Sequence, residues 1–280
     1  MPGAIHLAQP HRAGLRGAEH ETGRLRLADH ETASLRLADH ETARLRLADG
    51  RIVGEADVVW LPPFDVGSII ALGLNYADHV KELAKELTLG AKDEPLVFLK
   101  GPNSLIGHRG VTRRPAGVQF MHYECELAVV IGRSAKGVLA ADAMAHVAGY
   151  TVCNDYAIRD YLENWYRPNL RVKGRDGGTV LGPWLVDAAD VPDPHDLKLR
   201  TLVNGLVTQQ GHTGSMVNDI AALIEYLSHF MTLSAGDVIL TGTPEGVVNV
   251  DVGDEVVCEI DGIGRLVNTI VGDELFGIEA

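Results

Sequence analysis

The chain has 280 residues and a formal net charge of −13, from 25 basic and 38 acidic side chains. This length provides one large domain or two small ones with an ample core. An acidic surface repels nucleic acids and anionic membranes, so we expect neither as a partner. We find no apolar run near the roughly 20 residues that span a bilayer and no signal pattern, so we expect a soluble, cytoplasmic protein. The cysteines lie in separate apolar runs, which predicts reduced core residues: Cys125, Cys153 and Cys258.

A tandem repeat of ten residues occupies positions 18–47 and contains three copies of a pattern close to Ala-Asp-His-Glu-Thr-Ala-Arg-Leu-Arg-Leu. The unit is too short for a helical solenoid, and it lacks the second histidine of a metalloprotease helix. Asp49-Gly50 after the third copy indicates a hairpin, and the first two copies could compete for that pairing. We expect residues 1–66 to form a small N-terminal β segment, with the first 40 poorly fixed, and residues 67–280 to form the main domain.

An apolar strand at 68–76 leads into a segment of helical period at 78–87. On such a helix His79 and Glu82 lie on one face, because residues three apart are neighbours. A carboxylate beside a histidine orients the ring and raises its basicity, as a general base requires. A pair of exposed surface residues is the alternative interpretation. The next strand, at 95–100, ends at Lys100, which meets either an anionic substrate or solvent.

Acidic side chains alternate with apolar ones along the strand predicted at 123–131. Glu124 and Glu126, with His122 before them, share the face opposite the bulky residues, because side chains alternate along a strand. Two carboxylates this close repel each other unless a cation lies between them. Oxygen ligands favour Mg²⁺ or Mn²⁺, with Ca²⁺ as a substitute, over Zn²⁺. A solvent-facing strand edge is the alternative.

Asp155 ends the strand predicted at 147–155, and a helix is predicted at 157–165. Asp155 is therefore either a helix N-cap or a third acidic metal ligand. The polar segment that follows contains Arg167, Arg171 and Lys173, which predict a pocket for carboxylates or ordinary surface ion pairs. The rest of the chain predicts short strands with glycine turns, one helix at 220–230, and a closed or rolled β core.

Six motifs follow one another in the chain: Gly-Leu-Asn-Tyr-Ala-Asp-His-x-x-Glu at 73–82, Tyr-Glu-x-Glu-Leu at 123–127, Asn-Asp at 154–155, Lys-x-x-Asp at 173–176, Leu-Gly-Pro-Trp at 181–184 and Gly-Asp-Val-Ile-Leu-Thr-Gly-Thr-Pro-Glu-Gly at 236–246. Together they resemble the fumarylacetoacetate hydrolase superfamily. Residues 155–164 and 167–173 are more narrowly similar to its isomerase/decarboxylase branch, which acts on homoprotocatechuate ring-cleavage products. The resemblance implies an α+β, predominantly β fold, a mixed β-roll with peripheral helices. It also implies a Mg²⁺ or Mn²⁺ site and usually a homodimer.

The resemblance and the charge pattern together assign roles to individual residues. The metal ligands implied by the resemblance are Glu124, Glu126 and Asp155. The implied catalytic residues, of which the first two lie on a segment that closes over the substrate in relatives, are His79, Glu82 and Lys173. The resemblance implies a substrate contact at Thr243, and the charge pattern suggests three more, namely Lys100, Arg167 and Arg171.

This set of residues predicts an enzyme. A 2-oxo or 2-hydroxy di- or tricarboxylic acid would chelate the ion, which would stabilise an enolate, while His79 held by Glu82 moves a proton. We therefore expect a divalent-metal-dependent isomerase, with decarboxylase activity as a second capacity, in 4-hydroxyphenylacetate and homoprotocatechuate degradation. The alternatives are an acylpyruvate- or fumarylpyruvate-type C–C hydrolase, an oxaloacetate-type decarboxylase, and a catalytically silent metal-binding protein.

Overall fold

The structure is a computed structural model that describes residues 25–27, 36–39, 44–46, 52–54, 58–78, 94–162 and 170–276. In chain order the strands are β1 (Leu25–Leu27), β2 (Arg36–Asp39), β3 (Arg44–Arg46), β4 (Ile52–Gly54), β5 (Val58–Trp60), β6 (Ile69–Gly73), β7 (Leu96–Lys100), β8 (Leu105–Ile106), β9 (Val111–Arg113), β10 (Met121–His122), β11 (Cys125–Ile131), β12 (Val147–Asp155), β13 (Ala157–Ile158), β14 (Thr179–Asp187), β15 (Lys198–Val203), β16 (Leu206–His212), β17 (Val238–Leu240), β18 (Glu255–Ile260) and β19 (Gly264–Val271). The α-helices are α1 (Ala140–Ala143), α2 (Leu170–Lys173) and α3 (Ile220–Phe230). Single 3₁₀ turns lie at Pro102–Ser104, Met144–His146, Arg159–Tyr161, Ala188–Asp190, Thr213–Ser215 and Asp273–Phe276.

Two large sheets form the body of the molecule. The first has seven strands in the order β7-β6-β17-β11-β12-β14-β8, and the second has five in the order β16-β15-β18-β19-β9. Strands β12 and β14 of the first sheet pack against β19 of the second, and β11 packs against β15 and β18. Each sheet mixes parallel and antiparallel pairs, since β6 with β17 and β9 with β19 run parallel. The predicted α+β, predominantly β fold is confirmed.

The side chains of β11 divide between two apolar clusters. Its odd positions, including Cys125, Leu127 and Val129, are buried in the main cluster. Ala128, on the opposite face, belongs to a second cluster. The strand is therefore buried on both faces, and burying each large aliphatic side chain contributes about 1.5–3 kcal/mol. The predicted alternation is confirmed, and it places the side chain of Glu126 on the face of the second cluster.

Local sequence signals correctly predicted two further elements. Helix α3 begins after Asp219, whose carboxylate accepts a hydrogen bond of 2.8 Å from the amide of Ala222, as an N-cap does. Strands β15 and β16 form an antiparallel hairpin. Asn204 and Gly205 at its turn have φ angles of 50° and 79°, the left-handed values that a two-residue hairpin turn requires.

The repeat copies contribute strands to the N-terminal part of the chain. β3 in the third copy pairs antiparallel with β4, with Arg46 opposite Ile52, as the Asp49-Gly50 signal predicts. β2, which joins the end of the second copy to the start of the third, pairs with β3, and β1 in the first copy runs parallel to β5. Most of the 40 residues predicted to be poorly fixed lie outside the described residues. The division of the chain at residue 66 stays a prediction.

The helix predicted at 157–165 is wrong for the residues that the structure describes. Ala157 and Ile158 form β13, which pairs antiparallel with β10. A 3₁₀ turn at Arg159–Tyr161 follows, and the carboxylate of Asp160 accepts the amides of Gln119 at 2.9 Å and Phe120 at 2.7 Å. Long-range pairing thus replaces the local helical preference.

No helix in the described residues is long and apolar enough to cross a membrane.

Candidate active site

Three buried carboxylates meet where β11 begins and β12 ends. The two strands are antiparallel with Cys125 opposite Asn154, and the amide of Asp155 donates to the carbonyl of Glu124 at 2.9 Å. The candidate ligand atoms of Glu124, Glu126 and Asp155 all lie within 4.8 Å of one another. Glu126 is 0% exposed, so the alternative of a solvent-facing strand edge is wrong. Asp155 is the last residue of β12, so the alternative of a helix N-cap is also wrong.

Lys173 contacts two of the carboxylates. Its Nζ lies 2.5 Å from Oε2 of Glu124 and 2.9 Å from Oδ2 of Asp155, and it donates to the carbonyl of Asp155 at 3.1 Å. Lys173 is the last residue of α2 and is buried. Burial by itself lowers the pKa of Lys173, but the nearby Asp155 and Glu124 outweigh burial and raise it above its usual value. The ammonium therefore stays charged.

Lys100 forms a second ion pair with Asp155, at its other carboxylate oxygen, Oδ1. The side chain of Lys100 is 0% exposed, and its Nζ lies 3.4 Å from the carbonyl oxygen of Gly178. The alternative in which Lys100 points to solvent is wrong. Its predicted contact with substrate stays a prediction.

Arg159 is a site residue that our sequence analysis missed. Its Nη2 lies 2.7 Å from Oε1 of Glu124, and its Nε lies 3.4 Å from Nδ1 of His122. The side chain of Arg159 is 26% exposed, so it connects the buried cluster with solvent. Arg159 lies four residues after Asp155, inside the segment 155–164 that carries the family resemblance, and this position could have indicated a role in the site. The wrongly predicted helix hid it.

Glu126 is the most deeply buried of the three carboxylates, and one of its oxygens lacks a hydrogen-bond partner among the described residues. Its Oε2 accepts the amide of Gly242 at 2.5 Å, but its Oε1 has no hydrogen-bond partner among the described residues. Burial, followed by the charges of Asp155 and Glu124, raises the pKa of Glu126 well above its usual value. An orphaned carboxylate oxygen among three buried acids fits a hard divalent cation, which prefers oxygen ligands. This acidic triad can bind a metal ion.

The turn after β17 holds the amide that reaches Glu126. Gly242 has a φ of 86°, and a Cβ there would lie 3.1 Å from the Cβ of Asn75. The side-chain amide of Asn75 donates to the carbonyls of Thr241 at 2.9 Å and Asn218 at 3.0 Å, and its oxygen accepts the amide of Asn218 at 2.9 Å. Asn75, which our sequence analysis also missed as an anchor, thus ties this turn to the chain just before residue 79.

The loop after Lys173 is held tightly. Gly177 has a φ of 64°, which favours glycine, and its carbonyl accepts the hydroxyl of Thr112 at 2.7 Å. The carbonyl of Gly178 accepts the amide of Tyr156 at 3.0 Å. The glycine pair therefore allows the backbone to pack closely, and these bonds hold Lys173 in place.

The other predicted residues lie at the edge of this site or outside the described chain. The hydroxyl of Thr243 is buried and accepts from Nε2 of Gln209 at 3.0 Å. The guanidinium of Arg171 lies 4.3 Å from the ring centroid of Tyr161, a cation–π contact. Their roles stay predictions. Three predicted residues fall outside the described residues, namely His79, Glu82 and Arg167.

Comparison with known sequences identifies relatives of this chain. The family described as Fumarylacetoacetate (FAA) hydrolase C-terminal matches residues 68–271. A 4-hydroxyphenylacetate degradation bifunctional isomerase/decarboxylase of Salmonella dublin is 60% identical over 208 residues, which cover 74% of this chain and 48% of that protein. The chain therefore spans about half the length of this curated relative. A human mitochondrial oxaloacetate tautomerase is 40% identical over 229 residues, which cover 79% of this chain and 72% of that protein.

Solved structures with the same fold support this relationship. A 5-carboxymethyl-2-hydroxymuconate delta-isomerase from Mycobacterium smegmatis has a TM-score of 0.72 and 40% identity, covering 86% of this chain and 93% of that chain. A fumarylpyruvate hydrolase from Pseudomonas aeruginosa, in complex with Mn²⁺ and pyruvate, has a TM-score of 0.67 and 29% identity. The match covers 74% of this chain and 91% of that chain. The family match spans the whole acidic cluster, and this chain belongs to the fumarylacetoacetate hydrolase family.

Proposed function

We propose that this chain is a divalent-metal-dependent isomerase, with decarboxylase activity as a second capacity, that acts on 5-carboxymethyl-2-hydroxymuconate-type acids in 4-hydroxyphenylacetate degradation. The observation that carries the proposal is the 60% identity to a bifunctional isomerase/decarboxylase of that degradation. The likeness to a 5-carboxymethyl-2-hydroxymuconate delta-isomerase over most of both chains supports the same substrate class. The substrate would be a 2-oxo or 2-hydroxy di- or tricarboxylic acid.

Glu124, Glu126 and Asp155 would hold the ion, and we propose Mg²⁺ or Mn²⁺, with Ca²⁺ as a substitute. The support is the buried group of carboxylate oxygens and the orphaned Oε1 of Glu126. When bound, the ion supplies a Lewis acid that withdraws electron density from the oxygens of the organic acid.

Lys173 and Arg159 supply positive charge next to this group. The ammonium of Lys173 touches two of the proposed ligands and would stabilise negative charge that develops on the substrate. Arg159 holds Oε1 of Glu124 and is partly exposed, so it would both orient Glu124 and meet an incoming carboxylate. We propose Arg159 as a residue that both positions Glu124 and contacts the substrate. The other proposed substrate contacts are Lys100, Arg167, Arg171 and Thr243.

His79 and Glu82 are the proposed proton carriers. His79, with its ring oriented by Glu82, would remove a proton from one carbon and return it to another. The position of Asn75 supports this role, because its side chain binds Thr241 beside the Gly242 amide that reaches Glu126. The segment that follows Asn75 thus starts at the site. If it covers the bound substrate, it excludes water and favours reprotonation over hydrolysis.

Oligomeric state and location complete the proposal. Following the family resemblance, we propose a homodimer located in the cytoplasm. Light scattering coupled to gel filtration of the purified chain tests the first point. A monomer at micromolar concentration would contradict it.

Three substrates distinguish this proposal from its alternatives. Mn²⁺-loaded protein is mixed with 5-carboxymethyl-2-hydroxymuconate, an acylpyruvate or oxaloacetate, and absorbance spectra and released pyruvate are followed. We expect the diene chromophore of the muconate to change without fragmentation and the change to disappear after chelation. We also expect loss of activity in Glu124→Ala and His79→Ala, while Glu255→Ala, which alters an exposed carboxylate on β18, retains it.

Other outcomes assign other functions. Pyruvate release from the acylpyruvate with an unchanged muconate would make the chain a C–C hydrolase, like the fumarylpyruvate hydrolase of Pseudomonas aeruginosa. Turnover of oxaloacetate alone would favour a tautomerase, as in the human relative, or a decarboxylase. Activity that survives both chelation and Glu124→Ala would remove the metal from the mechanism.

A further inference from the structure

Lys100 is a buried cation that lies directly against a proposed ion ligand. It ends β7, its side chain is 0% exposed, and its ammonium pairs with Oδ1 of Asp155. Oδ2 of the same carboxylate pairs with Lys173 at 2.9 Å. Both oxygens of Asp155 therefore already face a positive charge. Any divalent ion that uses Asp155 has to share it with two ammonium groups.

We propose that Lys100 is a fixed internal cation that competes with the divalent ion for Asp155 and thereby couples ion binding to binding of the organic acid anion. The inference deepens the proposed function and rests on its ion site. Lys100 would then act through the charge of the site, in addition to its proposed contact with the substrate.

Once its three carboxylates are ionised, the cluster has as many cations as carboxylates among the described residues. As ion ligands the three carboxylates must be ionised, and the cations in contact with them in the described part of the chain are Lys100, Lys173 and Arg159. A divalent ion added to a balanced cluster leaves two positive charges in excess. In a buried site such an excess is poorly screened and costly. A dicarboxylic acid supplies two negative charges and restores the balance, and a monocarboxylate such as pyruvate supplies one and offsets half of the excess.

Lys100 differs from the other two cations in how it is held. Lys173 divides its contacts between Glu124 and two oxygens of Asp155, and Arg159 is 26% exposed and can adjust to an incoming anion. Lys100 is enclosed, and apart from Asp155 its ammonium has the carbonyl of Gly178 at 3.4 Å. Its charge thus opposes the ion at short range and stays in place when the ion arrives.

Ion and anion must therefore bind cooperatively. The ion alone binds against the repulsion of Lys100, whereas with the anion present the excess charge is neutralised. By linkage, each ligand raises the affinity for the other by the same factor. Removing the charge of Lys100 should strengthen binding of the ion alone and weaken this coupling.

Binding of Mn²⁺ to the full-length chain tests the inference without any turnover. Free Mn²⁺ is measured from its electron paramagnetic resonance signal, with and without a fixed concentration of pyruvate. We expect Lys100→Met, which keeps the length and loses the charge, to bind Mn²⁺ alone about tenfold more tightly than wild type, a change of about 1.4 kcal/mol. Pyruvate should then enhance Mn²⁺ binding less in this variant than in wild type.

Two controls separate charge from shape and from general surface effects. Lys100→Arg keeps the charge and should retain the weak binding of Mn²⁺ alone. Lys198→Met removes an exposed lysine of β15 and should leave both measurements unchanged. An unchanged or lower Mn²⁺ affinity in Lys100→Met would overturn the inference, because Lys100 would then orient Asp155 rather than compete for it.

Failure to fold and failure of the proposed function can both be recognised. If Lys100→Met unfolds without metal, its thermal midpoint is followed against Mn²⁺ concentration: a larger rise than in wild type supports the competition, and an equal or smaller rise overturns it. If wild type binds no Mn²⁺, the proposed ion site fails and this inference with it. If Mn²⁺ binds as expected but no substrate turns over, the inference stands and the proposed reaction fails.

Discussion

Gly242 shows how a single residue shapes the site. Its φ of 86° lies in the left-handed region, and its amide reaches Oε2 of Glu126 while a Cβ would meet Asn75 at 3.1 Å. We expect Gly242→Ala to lower the free energy of unfolding by about 2–4 kcal/mol, since overpacking adds about 1–3 kcal/mol to a backbone cost of about 1 kcal/mol. It should also weaken Mn²⁺ binding. Urea unfolding and Mn²⁺ titration measure the two effects.

Gly253 is the matched control for this substitution. Its φ is 99°, and a Cβ there would have no heavy atom within 4 Å. Gly253→Ala therefore carries the backbone cost of about 1 kcal/mol alone and should leave Mn²⁺ binding unchanged. Equal losses of stability in the two variants would mean that Asn75 yields to the new methyl group.

Lys173 neutralises two buried carboxylates. Its ammonium contacts Glu124 at 2.5 Å and Asp155 at 2.9 Å, and all three side chains are buried. Lys173→Met should lower the free energy of unfolding of the metal-free protein by about 3–5 kcal/mol, because it leaves buried charges unpaired. Urea denaturation in the presence of a chelator measures this loss. Lys198→Met, on the surface, should stay within about 0.5 kcal/mol of wild type, and a similar small effect for Lys173→Met would contradict the ion pairing.

The sequence predicted the acidic residues of the site more completely than the basic residues that pair with them. Alternation along one strand was enough to place Glu124 and Glu126 together, because it is a local property of the backbone. The partner of Lys100 lies 55 residues away in the chain, so no local pattern could indicate it. Arg159 was missed for the same reason, since its role depends on the path of β13 rather than on its neighbours.

The short strands β10 and β13 depend on Asp160. Its carboxylate accepts the amides of Gln119 and Phe120, and these hydrogen bonds hold its pKa below the usual value. A lowered pKa contributes stability that is present above the pKa of the unfolded chain and is lost as the pH falls through the lower folded pKa. We expect Asp160→Asn to be less stable than wild type at pH 7, and the difference to shrink as the pH falls below about 4, the usual pKa of an aspartate.

Urea unfolding of both proteins at pH 7 and pH 3 measures this difference. Asp190→Asn, at an exposed aspartate on a surface turn, should match wild type at both values. A difference as large at pH 3 as at pH 7 would mean that Asp160 acts through packing rather than through its charge. The helical pattern at 157–165 was misleading here because Asp160 binds amides forty residues earlier.

Elements with local signals were predicted and elements that depend on distant partners were not. Helix α3 has its own cap at Asp219, and the β15–β16 hairpin has its own Asn204-Gly205 turn. By contrast, β8 contains two residues and exists because Leu105 and Ile106 pair with Thr179 and Val180. A strand this short carries no pattern of its own.

At the scale of the molecule, the sequence indicated a rolled β fold but not the order of its strands. In the seven-stranded sheet, β17 lies between β6 and β11, although about 100 residues or more separate it from each in the chain. This order joins the Gly242 turn after β17 to Glu126 at the start of β11. The site therefore exists only in the assembled sheet. The same order places Ile69 and Ala71 of β6 in the second apolar cluster.

The segment before β6 decides where the folded body begins. Trp60 is buried with its ring 4.7 Å from that of His108, and Phe64 and Val66 pack against the second cluster. These contacts favour a boundary near residue 58, which separates β5 from its partner β1, over the predicted one at 66. We expect a chain of residues 58–280 to bind Mn²⁺ as the full chain does. We expect residues 68–280 to lose about 3–5 kcal/mol of stability, the usual cost of removing a buried tryptophan.

Thermal unfolding of the two truncated chains tests where the boundary lies, because they differ by ten residues and share the whole acidic cluster. For a body of about 200 residues each kcal/mol shifts the midpoint by about 2–4 °C, so the expected difference is easily measured. Equal thermal midpoints would favour the boundary at residue 66, because the contact of Trp60 with His108 would then add no stability. A loss of Mn²⁺ binding in both chains would instead mean that residues before 58 support the site, since neither chain contains the repeats.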